Sequence, residues 1–97
     1  MATDPKRIKL QVDADPRFAA AIGGAVRYLA ESSGMSEDVC REFQSETVQA
    51  CLQAFESHGN KSHVVEFVRF DDRVEVVVNS NAGSAPIRLS RFVGTQA

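Results

Sequence analysis

Two histidines, two cysteines and one adjacent pair of aspartates are the side chains of this sequence that most readily suggest chemistry. His58 and His63 flank a short Gly-Asn-Lys-Ser stretch. Zinc needs three or four ligands at turn or helical spacing, and no third ligand stands near these two. Both therefore read as solvated loop histidines, and no metal site is expected. Asp71-Asp72 falls between two apolar runs. Aspartate is favoured there because its side chain supports the backbone of a tight turn, so the pair reads as a turn and not as a catalytic dyad. No serine stands in a Gly-x-Ser-x-Gly elbow, and no Gly-rich loop leads from a strand into a helix to cradle phosphate. Cys40 and Cys51 fall within one helical pattern. Their spacing along a helix is roughly 16 Å, beyond the reach of a disulfide. With no matched Cys–His or Cys-x-x-Cys spacing, both read as small apolar fillers in a reducing compartment.

The elements that must position such groups follow from periodicity. Ile8, Leu10 and Val12 alternate with Lys9 and Gln11, which predicts a half-buried strand over 6–12. Asp15 is a good N-cap and Pro16 suits the first helical position. Phe18, Ile22, Ala25, Val26 and Leu29 then lie on one face of a helix over 16–32, with Gly34 as its left-handed cap. Gly23-Gly24 inside that helix costs roughly 1 kcal/mol per glycine relative to alanine. The pair implies close approach of another backbone, either the sheet or a second helix, and less so a partner subunit. Ser36 opens a second helix over 36–58, with Glu37 and Asp38 in its first turn. Val39, Phe43, Ala50 and Ala54 form one apolar stripe, and Val48, Cys51, Leu52 and Phe55 an adjoining one. So wide an apolar arc predicts a central helix laid across a sheet. Two β-branched runs around Asp71-Asp72 predict a hairpin, followed by a polar loop over 79–86 and a weak last strand over 87–93. The expected fold is α+β: a two-layer sandwich in which an antiparallel sheet carries two helices on one face, in the order β-α-α-β-β.

Bulk properties narrow the classes. The chain has 97 residues, 43% hydrophobic and 25% charged, with a formal charge of −2. That fits one globular domain over 1–97, with mobile ends at 1–5 and 94–97. The charge supplies no strong basic field for nucleic acid or an anionic membrane surface. There is no apolar run of about 18 residues, and the N-terminus does not have the form of a signal peptide, so a cytoplasmic location is the default expectation.

From Ile8 to Gly83 the chain resembles the GHKL (histidine-kinase-like) ATPase superfamily, and more narrowly the anti-sigma serine kinases of bacterial partner switching. The residues that carry the likeness are the strand, helix, Gly-turn and helix in order, and a second hairpin strand reading Asp72-Arg73-Val74-Glu75-Val76-Val77-Val78. With Gly34 as register, the family's N-box, Glu-Ala-x-x-Asn-Ala, falls on Gln49-Ala50-Cys51-Leu52-Gln53-Ala54. The resemblance places Gln49 at the position of the general base, where an amide cannot accept a proton near neutral pH. It places Gln53 at the magnesium ligand, one methylene longer than the family's asparagine. The family's adenine-reading Asp-x-Gly-x-Gly falls on Ser80 and Ala82, or one residue away on Asn79 and Asn81. The family's later lid over the triphosphate has no counterpart here. Gln49 and Gln53 are open to three readings: plain helix positions at a sheet rim, a residual polar pocket, or weak nucleotide binding without hydrolysis.

The resemblance thus implies a catalytically inactive relative that works by protein–protein contact in signalling or transcription regulation. Its partner would be a sigma factor, an antagonist or a kinase-like protein. The surfaces implied are 57–63 and 79–86, and a homodimer is compatible with the family. Cofactor contacts, by resemblance only, would come from Gln53, Asn79, Ser80 and Asn81, with ATP and magnesium as the ligands; no cofactor or metal is expected. The other class is a divergent nucleotide-binding serine kinase or ATPase. A third is a small assembly subunit, companion to a complete kinase.

Overall fold

The computed structural model describes residues 6–57, 62–80 and 85–93. The expected mobile ends at 1–5 and 94–97 lie outside the described residues, as do His58 and Asn81. The order of elements is β1 (Lys6–Val12), α1 (Pro16–Ser32), α2 (Glu37–Ser57), β2 (His63–Arg69), β3 (Arg73–Ser80) and β4 (Ile87–Phe92). The four strands form one antiparallel sheet in the order β1-β2-β3-β4. The weak last strand expected over 87–93 is thus a full fourth strand, Ile87–Phe92, added to β-α-α-β-β. Its alternation is weak in sequence because only Ile87 and Leu89 are aliphatic on the helix side, the next such position being Arg91.

Local chemistry accounts for both helices. The Asp15 carboxylate accepts the Arg17 backbone N–H at 2.9 Å, and Pro16 follows it, so α1 starts where expected. The helix closes in a Schellman arrangement. The Met35 N–H donates to the Ala30 carbonyl at 3.1 Å and the Gly34 N–H to Glu31 at 3.1 Å, with Gly34 at φ +90° and Met35 buried against the core. Two residues later the Ser36 hydroxyl accepts the Val39 N–H at 3.3 Å and caps α2.

The helices run as an αα-hairpin over one face of the sheet. Gly23 resolves its own expectation: a methyl there would lie closer than 3.0 Å to Val48 Cγ2, so the close neighbour is α2. Gly24 has nothing within 4 Å of such a methyl, and no packing reason for it emerges. Ala19, Ile22, Val26 and Ala30 of α1 meet Cys40, Phe43, Cys51, Ala54 and Phe55 of α2, above Val65, Phe67, Val74, Val76 and Val78 of the sheet. The central role of α2 holds, with one correction. Leu52, expected in its apolar stripe, is 39% exposed.

Candidate functional site

The N-box positions lie on the outward side of α2. Gln49 and Gln53 are both exposed, one helical turn apart, while their neighbours Ala50, Cys51 and Ala54 turn inward. Such a pair shares one face, about 6 Å apart at Cβ. The hairpin-exit residues divide between the two sides of the sheet. Val74, Val76 and Val78 face the helices, so Asn79 stands exposed on the opposite, uncovered face, away from Gln49 and Gln53. The Ser80 backbone pairs with His63 at the same end of the sheet as the end of α2. Asn81 is outside the described residues. Thus the two glutamines are brought together and Asn79 is not.

His63 is the clearest departure from its sequence reading. It is not a solvated loop histidine: it opens β2 and is fully buried. Its Nε2 lies 3.2 Å from the Ala54 carbonyl, and the ring packs edge-on to Phe55 at 4.9 Å. A carbonyl can only accept, so Nε2 carries the proton and donates. Ala54 sits in the last described turn of α2, so the imidazole ties the start of β2 to that turn of the helix. His63 Nδ1 and Thr47 Oγ1 are the two buried side-chain atoms left without partners among the described residues.

The thiols are structural in character. Cys40 and Cys51 are both free and buried. Burial pushes the Cys51 thiol up to about 11. Cys40 is raised as well, first by burial and then by the nearby Glu31 carboxylate, while its Sγ–H points at the Met35 carbonyl at 3.6 Å. Neither is poised as a nucleophile.

Among the described residues, two shallow grooves lie beside α2. One, of about 350 Å³, is lined by Ala14, Pro16, Leu52, Phe55 and Glu56 at the junction of the helices with the end of β1. The other, of about 590 Å³, runs along the first half of α2 between Asp38, Val39, Arg41, Glu42, Ser45 and Glu46. Gln49 and Gln53 line neither.

Charge is divided between the layers. On α2, Glu37, Asp38, Glu42, Glu46 and Glu56 stand against Arg41 alone. On β1, Lys6, Arg7 and Lys9 stand with no acid. On the uncovered sheet face the charges are largely paired. Arg7 meets Glu66 at 3.3 Å, and Arg73 meets Asp72 at 3.0 Å and Glu75 at 3.1 Å. The Arg73 guanidinium also lies 3.9 Å over the Phe70 ring, with Phe92 further off at 6.0 Å. Arg91 of β4 reaches inward to Glu46, over the Phe43 ring.

The feature that periodicity alone did not disclose is the state of the β1 edge. Ile8 and Leu10 lie on the helix side of the sheet, opposite Phe67 and Val65. Those partners are buried, yet Ile8 is 50% and Leu10 39% exposed. Phe18 and Leu52 are also exposed. The helices pack over β2, β3 and β4 and leave most of β1 uncovered. Only Val12, at its end, joins the core.

No protein-family model matches this chain, and a search of curated proteins gives no match. Among the described residues no helix is long and apolar enough to cross a membrane.

Proposed function

We propose that this protein is a catalytically inactive relative of the anti-sigma serine kinases, a cytoplasmic binding module that acts in bacterial signalling or transcription regulation by holding another protein. The observation that carries the binding role is the uncovered β1 edge, where Ile8 and Leu10 remain half-exposed beside a packed core. Contiguous apolar side chains left open at a surface are a mark of contact with another protein. The kinship rests on the order of elements and on the N-box register. Gln49 and Gln53 lie a turn apart on the exposed side of α2; in that register they would stand at the family's base and metal-ligand positions. Neither amide can take the proton from an attacking hydroxyl.

The test is direct. ATP with Mg²⁺ is titrated into the folded protein while thermal unfolding is followed, and phosphate transfer to serine-containing proteins is assayed in parallel. The expected result is no rise in melting temperature and no transfer. A ligand bound at 100 times its Kd would add about 2.7 kcal/mol of stability, which such a scan resolves easily. Phosphate transfer above background that disappears in Gln49→Ala would replace the binding-module reading with the kinase one.

A further inference from the structure

We propose that β1 is a docking edge for an acidic, extended segment of a partner protein, which joins the sheet as a fifth strand. This deepens the binding-module reading and rests on it. Three observations converge on the same seven residues. First, β1 ends the strand order, so every second residue turns its backbone N–H and C=O away from β2, with no strand beside them among the described residues. Second, its helix-side groups Ile8 and Leu10 are open, although Phe67 and Val65 beside them are sealed. The other edge differs. On β4, Ile87 and Leu89 are half-buried against the core, and Arg91 is tied to Glu46. Third, β1 carries Lys6, Arg7 and Lys9 and no carboxylate. Arg7 is matched by Glu66, and among the described residues Lys6 and Lys9 have no ion-pair partner.

The charge selects the occupant. A second copy of this chain would bring its own Lys6, Arg7 and Lys9 to the same edge, and like charges across a strand pair are destabilising. Lysine on an edge is a common way of preventing self-pairing. An acidic strand reverses that sign while using the same backbone hydrogen bonds. Alternation then fixes its pattern. Residues beside Ile8 and Leu10 must be apolar, and those beside Arg7 and Lys9 acidic, because successive side chains point to opposite faces. The partner therefore presents alternating acidic and β-branched residues over about six positions.

The probe is a fluorescein-labelled, end-blocked peptide, Glu-Val-Glu-Ile-Glu-Val-Glu, titrated with the intact protein and read by fluorescence anisotropy. Hydrogen exchange of the β1 amides is measured with and without it. Saturable binding is expected, weakening steeply as salt rises because the charges are exposed. The β1 amides that face outward should gain protection. Lys9→Glu, at an exposed position on the face that meets the acidic residues, should keep the fold by circular dichroism. It should bind this peptide at least about tenfold more weakly and accept a version with lysine in place of glutamate. Equal binding of a block-patterned peptide of the same composition would overturn the strand-addition mode. Unchanged affinity in the charge-reversal variant, or unchanged exchange at β1, would overturn the site. A concentration-dependent dimer in sedimentation that Leu10→Lys dissolves would hand the edge to a second copy and overturn the acidic partner. Loss of the site would remove the main support for the binding role, whereas the absence of kinase chemistry has its own nucleotide test, which does not involve β1.

Discussion

Adjacent glycines in α1 should respond to the same substitution with opposite signs. In Gly23→Ala the new methyl falls closer than 3.0 Å to Val48 Cγ2, 3.3 Å from Gln44 Cγ and 3.4 Å from the Gln44 carbonyl oxygen. Carbon atoms pack at about 3.5–4.0 Å, so the helices must part or Val48 must rotate. Val48 is β-branched and holds essentially one rotamer in a helix, so it yields poorly. Parting α1 from α2 strains the Arg27–Gln44 hydrogen bond and the Arg27–Glu37 pair that cross the same seam. Overpacking of this kind costs about 1–3 kcal/mol, against about 1 kcal/mol regained from the better helix propensity of alanine. The net loss is about 1 kcal/mol, or about 4–8 °C in Tm for a domain of this size. Gly24→Ala meets nothing within 4 Å and should gain about 0.5–1 kcal/mol. Urea unfolding followed by far-ultraviolet circular dichroism gives both values, as shifts of midpoint at constant m. Adding Val48→Ala to Gly23→Ala removes the offending methyl, so the two changes should couple favourably in a double-mutant cycle. If Gly23→Ala raised the midpoint as much as Gly24→Ala does, the close approach of the helices described here would be wrong.

Three other outcomes follow from the packing and the titrating groups. Phe43→Ala, at a fully buried position, should cost about 3–5 kcal/mol, while Leu52→Ala, 39% exposed, should cost about 1 kcal/mol or less; chemical denaturation of the two variants compares them directly. Hydrogen bonds from Arg17 hold the Asp15 carboxyl below its ordinary 3.8. A depressed acid stabilises the fold above its unfolded value, so the Tm advantage of the parent over Asp15→Asn should be present at neutral pH and fade as pH falls below 3.8 through the lowered value. A thiol reagent at pH 8 should label Cys40 and Cys51 far more slowly in the folded protein than in denaturant, since both are buried and Cys51 titrates only near 11; rapid native labelling of either would contradict their placement.

What was legible in the sequence was whatever depends on near neighbours. Asp15, Pro16, Gly34 and Ser36 each mark a helix end through chemistry within four residues, and each stands where its type demands. The β2–β3 hairpin announces itself through Asp71-Asp72 between β-branched runs. Features that depend on distant chain segments were less legible. His63 looked like a loop residue because nothing local says that the end of α2 arrives above it and offers the Ala54 carbonyl. Leu52 fits the apolar period of α2 but faces the helix-layer margin, and period cannot tell the middle of a layer from its margin. Ile8 and Leu10 alternate as a half-buried strand should, yet the helices stop short of them. The candidate site was legible only as positions. That Gln49 and Gln53 are exposed while Asn79 stands on the other side of the sheet depends on how far α2 is rotated and on the parity of β3.

The pairing of β1 with β2 also sets an order of events. Arg7 and Glu66, neighbours in the sheet, are 59 residues apart in the chain, with both helices between them. By contrast α1–α2, β2–β3 and β3–β4 each join consecutive elements. Closing a short loop costs less entropy than closing a long one, so the helical hairpin and the β2–β3–β4 meander can form before β1 has anything to join. As the chain leaves the ribosome, β1 emerges before β2 and must wait until β2 has followed. Its lysines and arginine keep it soluble during that wait. In the finished protein the sequence runs in reverse: held along one side and little covered by the helices, β1 should open at lower free energy than the central strands, and its amides should exchange before those of β2 and β3.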